Sequence, residues 1–87
     1  MMQIIYHSDF KKSVQKAPKS QKKKLAKLIE VLRGDPFHPL LHTKRLSGKL
    51  AKFLSFRITR DWRVIFKFLS AEAVQLVDVG NRKDIYR

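Results

Sequence analysis

The side chains with the clearest chemical potential are three arginines and a tyrosine in the second half of the sequence. Arg57 and Arg63 lie in alternating apolar runs, and Arg82 and Tyr86 lie just after another apolar run. Arginine binds phosphate through two parallel N–H donors and keeps its charge at physiological pH. Tyrosine offers a hydroxyl for proton transfer and a ring that stacks on bases. This set of side chains is suited to binding and cleaving an RNA phosphodiester.

Most other catalytic arrangements are missing from the sequence. There is no cysteine, and the three glycines are too far apart to form a phosphate-binding loop. The seven acidic residues are scattered, which argues against a two-metal nuclease. His38 and His42 have the spacing of helical metal ligands, but Pro39 stands between them. We therefore predict neither a metal ion nor a cofactor.

RNA can be cleaved by such a set because its 2′-OH is a built-in nucleophile. A protein then needs only to hold that hydroxyl in line with the phosphorus, stabilise the developing negative charge and manage two protons.

The net charge of +13 exceeds the roughly 2–8 that solubility requires, and it favours a polyanionic partner. The alternative interpretation is structural: Arg57 and Arg63 form a solvated sheet face, and Tyr86 anchors the C-terminus in the core.

The hydrophobic pattern predicts one small α+β domain over residues 1–87. The segment "MQIIYH" is typical of a strand, and two helices are predicted over 8–16, beginning at a Ser8 cap, and over 20–33. Alternation with period 2 then predicts strands at "LSFRIT", "RVIFKF" and "VQLVDV". The expected order is β-α-α-β-β-β, an antiparallel twisted sheet covered on one face by the two N-terminal helices.

The apolar pattern also predicts how the first two of these three strands pair. A three-residue loop over 60–62 pairs Ile58 with Val64 and keeps the aromatic side chains on one face. The opposite face then carries Arg57, Arg63 and Lys67, with the two arginines as diagonal neighbours.

The last eight residues, "GNRKDIYR", follow the third of these strands. Two consecutive hairpins return the end of that strand to the start of the strand before it. Gly80 is predicted to form a tight turn there. Arg82 and Tyr86 are thereby expected to join Arg57 and Arg63 on one basic surface.

Three segments together resemble a known family. "LHTKRLSGKL", "FLSFRITRDWRVIFKF" and "VQLVDVGNRKDIYR", behind a lysine-rich helical pair, resemble the RelE/ParE superfamily of toxin–antitoxin toxins, and most closely its RelE-type mRNA interferases. The resemblance covers essentially the whole chain. Its most specific parts are the "L-x-G" step, the "R-I-x-R-D-W-R-V-I-F" strand pair and the terminal "V-G-x-R-x-x-x-Y".

The resemblance implies a function and a set of residues. RelE-type toxins enter the ribosomal A site and cut mRNA by 2′-OH attack, which leaves a 2′,3′-cyclic phosphate and needs no metal ion. Carried over by motif, the expected catalytic residues are Arg57, Arg63, Arg82 and Tyr86. The residues expected to contact RNA are Arg60, Trp62, Lys67, Asn81 and Lys83.

Two positions depart from the family pattern. Asn81 stands where close relatives often carry a histidine, and asparagine carries no proton at neutral pH. Thr59 stands where some members have a second basic residue.

Trp62 has an alternative to RNA contact, which is packing back onto the sheet.

The expected partners are a cognate antitoxin and mRNA in the ribosomal A site. Promoter DNA is expected to bind only through the antitoxin complex. No apolar run approaches the roughly 20 residues of a membrane span, so a cytoplasmic protein without a membrane partner is predicted. Two alternative functions stay open: a ParE-like DNA gyrase inhibitor without RNase activity, and a non-catalytic basic RNA-binding module.

Overall fold

The secondary structure follows the sequence pattern closely and adds several short elements between and after the predicted ones. In the computed structural model, which describes residues 1–86, short 3₁₀ turns at Pro39–Leu41 and Gly48–Leu50 interrupt the connections. The strands and helices are β1 (Gln3–Tyr6), α1 (Ser8–Lys16), α2 (Lys19–Gly34), β2 (Lys44–Arg45), β3 (Leu54–Arg57), β4 (Trp62–Ser70), β5 (Ala73–Asn81) and α3 (Arg82–Ile85).

The five strands form one sheet in the order β1-β5-β4-β3-β2. The predicted α+β fold, with two N-terminal helices and a β3-β4-β5 meander, is confirmed. The sheet is mixed, however, because β1 runs parallel to β5 at the far edge, while the other pairs are antiparallel. In chain order α1 and α2 lie between β1 at one edge of the sheet and β2 at the other edge, so the helical pair carries the chain across the sheet. The segment "TKRL" was predicted as loop with room for a short turn of helix or strand, and the two-residue β2 forms there. α3 was not predicted, because an element of four residues shows no periodicity.

The two N-terminal helices are placed by a polar cap and an apolar stripe. The N-cap of α1 is His7, not the predicted Ser8, and its Nδ1 accepts a hydrogen bond from the amide of Asp9 at 3.0 Å. The apolar stripe of α2 faces the core, with Leu25, Leu28 and Leu32 buried. None of the helices within residues 1–86 has the length and apolar character of a membrane span.

The core lies between these helices and one face of the sheet. Phe56 and Phe66 are fully buried on β3 and β4, with ring centroids 5.9 Å apart and planes tilted by 57°. The helices contribute Phe10 and the leucine stripe, and β5 contributes Leu76. Burial of large aliphatic and aromatic side chains is the main stabilising term in a chain of this size.

The register of the β3–β4 hairpin differs from the predicted one. Val64 pairs with Phe56 instead of Ile58, and Arg57 pairs with Arg63. The shift is by an even number of residues, so each side chain keeps its predicted face. The cause is the turn: Ile58 donates its amide to the carbonyl of Trp62 at 2.8 Å, and the amide of Trp62 donates to Thr59 Oγ1 at 3.2 Å. Trp62 therefore belongs to the strand, and the loop is moved back to residues 59–61.

The β4–β5 pair contains an irregularity that affects its neighbours. Ile65 pairs with Asp78 while Phe66 pairs with Leu76, so β5 has one extra residue at this point. Such a bulge bends a strand and redirects the side chains beside it. Asp78 accepts a hydrogen bond from the hydroxyl of Ser13 on α1 at 2.6 Å, which ties the helix to the sheet.

The packing of α2 generates a stability prediction. Leu32 is fully buried in the core, whereas Leu69 at the end of β4 is 47% exposed. Leu32→Ala should lower the free energy of unfolding by about 2–5 kcal/mol because it leaves a cavity. Leu69→Ala should change it by less than about 1 kcal/mol. Urea unfolding followed by Trp62 fluorescence measures both, and equal losses would contradict the described burial of α2.

Candidate functional site

Strand pairing brings the two strand arginines directly opposite each other. Arg57 on β3 pairs with Arg63 on β4, and Arg63 pairs in turn with Gly80 on β5. We call these three residues the arginine row. Residues directly opposite on antiparallel strands share a face, with Cα atoms about 4.5–5.5 Å apart. The row lies on the opposite strand face from Phe56 and Val64, which are buried in the core.

The guanidinium of Arg63 is held by the hairpin loop. Its Nε and Nη2 donate to the carbonyl oxygen of Arg60 at 3.3 and 3.1 Å. A guanidinium has five N–H donors, so donors remain that could bind an anion. Arg60 is exposed at the loop, and Arg63 is half-buried. The loop thus positions the Arg63 side chain before any ligand binds.

The C-terminal tail reaches this loop, as the meander predicts. The amide of Arg82 donates to the carbonyl of Asp61 at 2.7 Å, and Arg82 Nε lies 3.9 Å from Asp61 Oδ1. Both side chains are exposed, so this ion pair contributes little stability, and the backbone bond fixes the position. The contact between Asp61 and the tail was not predicted from the sequence, although Asp61 is the single acidic residue inside the basic stretch "RITRDWR".

The turn after β5 is formed differently from the prediction. Gly80 is a strand residue paired with Arg63, and Gly48 is the one glycine with positive φ among the described residues. The chain turns instead at Asn81, whose Oδ1 accepts a hydrogen bond from the amide of Lys83 at 3.0 Å and caps α3. A Cβ at Gly80 would lie 3.8 Å from Ile85 Cβ. α3 therefore folds back over the end of the arginine row.

Tyr86 lies beside β2 rather than beside the hairpin loop. It is half-buried and lines a cleft of about 280 Å³. The other lining residues come from β2 and the connection that follows it: Lys44, Arg45, Leu46, Ser47 and Leu50. Arg57 and Arg63 are not among them. Lys44 and Arg45 are exposed cations that the sequence analysis missed, although "TKRL" showed a basic pair.

The remaining predicted RNA contacts are dispersed. Lys67 is four residues further along β4 than Arg63, which is about 13 Å at strand spacing. Its Nζ lies 5.9 Å from the ring centroid of Phe53, a cation–π contact. Trp62 is half-buried and packs against the core. Lys83 is exposed on α3. Contact of each with RNA stays a prediction.

Two of the histidines, His38 and His42, bound a 3₁₀ turn. His38 Nδ1 accepts a hydrogen bond from the amide of Leu40 at 3.1 Å and caps a 3₁₀ turn. His42 ends this turn with a left-handed backbone, at φ 50°. Across residues 1–86, no three His, Cys, Asp or Glu side chains are grouped so that they could hold a metal ion.

The cap of α3 gives a test of how the tail is held. Asn81→Ala removes the acceptor for the Lys83 amide, so amide hydrogen exchange at Lys83 should be faster by about fivefold or more, since a lost cap costs about 1 kcal/mol. Asn81→Ser restores an acceptor and should return exchange close to that of the wild type. Exchange at Leu28, in the interior of α2, should be the same in all three proteins. Unchanged exchange at Lys83 in Asn81→Ala would contradict the cap.

The fold is shared with solved toxin structures. YafQ from E. coli strain BL21(DE3) matches with a TM-score of 0.82 at 22% identity, over 100% of both chains. A YoeB/ParE toxin from Agrobacterium tumefaciens matches with a TM-score of 0.78 at 20% identity, over 93% of this chain and 99% of the other. An archaeal RelE–RelB complex from Pyrococcus horikoshii OT3 matches with a TM-score of 0.76 at 17% identity, over 95% and 97%.

Comparison by sequence finds no relative, whereas comparison by structure does. No protein-family model matches the chain, and a search of curated proteins gives no match. At 17–22% identity the agreement is one of backbone architecture, and it extends over nearly the full length of each chain. The protein therefore has the fold of the RelE/ParE toxin superfamily, as the sequence motifs predict.

Proposed function

We propose that this chain is the toxin of a type II toxin–antitoxin system and acts as a ribosome-dependent, metal-independent mRNA endonuclease. The observation that carries the proposal is the direct pairing of Arg57 with Arg63, next to a loop to which Arg82 is tied. The fold supports it, because YafQ and RelE share this architecture and have been solved in complexes with DinJ and RelB.

The arginine row is suited to a phosphate because it is electrostatically unfavourable without one. Like charges directly opposite on neighbouring strands destabilise a sheet. An anion bound between Arg57 and Arg63 removes the repulsion and accepts charge-assisted hydrogen bonds from both. A phosphorane carries more negative charge than the phosphodiester from which it forms. The two guanidinium groups therefore bind the transition state more tightly than the substrate, which is the requirement for catalysis.

The bond changes follow from the substrate. The 2′-oxygen attacks the adjacent phosphorus, the bond to the 5′-oxygen breaks, and the products are a 2′,3′-cyclic phosphate and a 5′-hydroxyl. One proton leaves the 2′-OH and one reaches the 5′-oxygen. In this proposal Tyr86 orients or deprotonates the 2′-OH or stacks on the neighbouring base, and Arg82 adds positive charge. Asn81 carries no proton and caps α3.

The proposed dependence on the ribosome is consistent with the few catalytic side chains that the protein contributes. The residues of the row supply positive charge but no side chain of a type that usually acts as a general acid or base. Alignment of the reacting atoms can supply much of the rate, and the ribosome holds mRNA in a defined path. The exposed lysines of α2 and the net charge of +13 favour binding to ribosomal RNA. A ribosomal substrate also places the protein in the cytoplasm.

The partner in this proposal is a cognate antitoxin that covers the basic surface. Promoter DNA is then bound by the toxin–antitoxin complex and not by the toxin alone. The fold does not separate this function from gyrase inhibition, because a YoeB/ParE toxin shares it. The arginine row favours the RNase, since only that reaction requires it. A non-catalytic RNA-binding module would use the same charges for affinity alone.

Arg63→Gln tests the assignment of the row. Cleavage of a translated mRNA by purified protein and ribosomes, mapped by primer extension, should slow by about 10²–10³-fold, because one charged donor to the transition state is lost. Lys16→Gln removes the same charge from the exposed end of α1 and should cleave within about twofold of the wild type. Equal rates for both variants would contradict the role of the row. Intact mRNA with the wild type, together with inhibition of gyrase supercoiling, would favour the ParE-like alternative.

Tyr86→Phe separates the hydroxyl from the ring. If the hydroxyl takes part in proton transfer, kcat should fall at least tenfold while KM stays within about twofold. Tyr86→Leu removes the ring as well, so a stacking role should appear as an additional rise in KM. Single-turnover cleavage over a range of toxin concentrations measures both quantities. Wild-type kcat in Tyr86→Phe would exclude the hydroxyl from the chemical step.

A further inference from the structure

A second cleft lies between α2 and the β3–β4 hairpin. Its volume is about 470 Å³, within the range of clefts that enclose small-molecule ligands. α2 contributes Lys24, Lys27, Leu28 and Val31 to its lining. Their spacing at i, i+3, i+4 and i+7 places them on one face of the helix. The hairpin contributes Arg57 and Arg60, among others, and none of the residues that line the cleft is acidic.

The lining carries a concentration of positive charge. Lys24, Lys27 and Arg60 are exposed, and Arg57 is half-buried. A cleft lined by charge of one sign focuses the electrostatic field and concentrates ions of the opposite sign. Four cations around one cleft also repel each other until an anion binds among them. The cleft therefore favours an anionic ligand.

Arg57 has an unfilled hydrogen-bonding position. Its Nε is shielded from solvent and has no acceptor within residues 1–86. A buried charged donor that lacks an acceptor destabilises a protein, so an acceptor supplied by a ligand is bound favourably. A phosphate has several acceptor oxygens, so that one can bond to Arg57 while the others face the neighbouring cations. Phosphate is thus the anion that best matches this set of donors.

The rest of the lining is largely apolar, so the ligand needs an apolar body as well as a phosphate. Leu28 and Ile58 are buried, whereas Leu40 is 61% exposed. A flat ring placed against these side chains would remove apolar surface from water. Thr59 Oγ1 accepts a hydrogen bond from the amide of Trp62, and its own proton is available to the polar edge of such a ring. A nucleobase joined to a phosphate matches both parts of the lining.

We propose that this cleft is a binding site for a nucleoside phosphate. The phosphate accepts a hydrogen bond from Arg57 Nε and lies among Lys24, Lys27 and Arg60. The base lies against Ile58 and is covered by Leu40. A free nucleotide and a nucleotide within an RNA strand offer the same base and phosphate, so the chemistry of the site accepts either source.

The position of the cleft has a consequence for cleavage, which rests on the proposed function. Arg57 belongs both to the cleft lining and to the arginine row. A free nucleotide on Arg57 would compete with the scissile phosphate for one guanidinium, and cleavage would then depend on nucleotide concentration. A nucleotide of the RNA strand would instead be held beside the scissile phosphate, and the cleft would take part in selecting the position of the cut.

The test is a titration of ¹⁵N-labelled protein with adenosine 5′-monophosphate (AMP), followed by amide chemical shifts in the absence of ribosomes. AMP should give saturable shifts at the amides of Leu28, Ile58 and Thr59, while the amides of β1 stay unchanged. Adenosine and inorganic phosphate each offer one part of the ligand, and each should bind at least about tenfold more weakly than AMP. Phosphate that binds as tightly as AMP would show attraction of an anion without a nucleotide site and would overturn the proposal.

Two double variants on one helix test the charged part of the cleft. Lys24→Gln with Lys27→Gln removes two cations of the lining, and Lys19→Gln with Lys23→Gln removes two exposed lysines of α2 that do not line it. The first pair should weaken AMP binding about tenfold and the second less than about twofold. Circular dichroism spectra of both should match that of the wild type. Equal losses would contradict the placement of the phosphate.

A pair of leucine variants tests the apolar part. Leu40→Gln changes an exposed leucine of the lining, and Leu69→Gln changes an exposed leucine at the end of β4 that does not line the cleft. Leu40→Gln should weaken AMP binding about fivefold, because apolar contact with the base is lost, and Leu69→Gln should leave it within about twofold. The same affinity in both variants would contradict the placement of the base.

A short uncleavable strand, a 2′-deoxyadenosine trinucleotide, distinguishes the two sources. If it shifts the same amides and binds more tightly than AMP, the site serves a nucleotide of the RNA. If AMP binds as tightly as the trinucleotide or more tightly, the site serves a free nucleotide. The absence of saturable shifts in the cleft with either probe would overturn the proposal.

A cleavage assay with preformed ribosome–mRNA complexes separates the two proposals. AMP at ten times its Kd should slow cleavage by about tenfold if the two phosphates compete for Arg57. An unchanged rate despite saturation by AMP would refute the competition. AMP binding by a protein that cleaves no mRNA would leave the nucleotide site standing and refute the proposed function, and cleavage by a protein that binds no AMP would do the reverse.

Discussion

The structure depends on the register of the β3–β4–β5 ladder. This register places Arg57 opposite Arg63 and Arg63 opposite Gly80, and it brings Arg82 to the hairpin loop. A slip of one residue would turn the arginines toward the core, and a slip of two would separate them into diagonal neighbours. The backbone bond from Ile58 to Trp62 prevents both. The packing of Trp62 against the core then holds the closing residue of the loop in place.

The arginine row destabilises the sheet on which it lies. Two guanidinium groups on opposed residues repel each other, and a net charge of +13 adds to the repulsion in a small domain. The compensation comes from the other face of the same strands, where Phe56, Val64 and Phe66 are fully buried. One pair of strands therefore supplies both the core and the charge. A local conflict of this kind is expected where a protein binds a ligand of opposite charge.

The sequence predicted the elements better than the contacts between them. The leucine stripe of α2 and the alternation in β4 are long enough to show their periods, so the helix, the meander and the faces of the strands were predicted correctly. The exact register was not, because it depends on hydrogen bonds of Thr59 and Trp62 that no periodicity encodes. For the same reason Asn81, and not Gly80, forms the turn before α3.

The candidate site was predictable in part. Pairing rules alone place Arg57, Arg63 and the tail together, since a meander must return β5 to the start of β4. The position of Tyr86 beside Lys44 and Arg45 was not predictable, because it depends on how α3 folds over the sheet. The cleft between α2 and the β3–β4 hairpin is lined by residues far apart in the chain, from Lys24 to Arg60. Only the packed structure shows that they line one cavity.

The most direct test of the central claim is the chemistry of the cut ends. The protein is incubated with ribosomes and an mRNA that carries a single 2′-deoxynucleotide immediately 5′ of the scissile phosphate, and with the matched all-ribose mRNA. Without metal ions beyond those of the ribosome, the all-ribose mRNA should give 2′,3′-cyclic phosphate and 5′-hydroxyl ends, and the deoxy mRNA should stay intact at that position. Cleavage of the deoxy mRNA, or ends that carry a 5′-phosphate, would contradict 2′-OH attack stabilised by the arginine row.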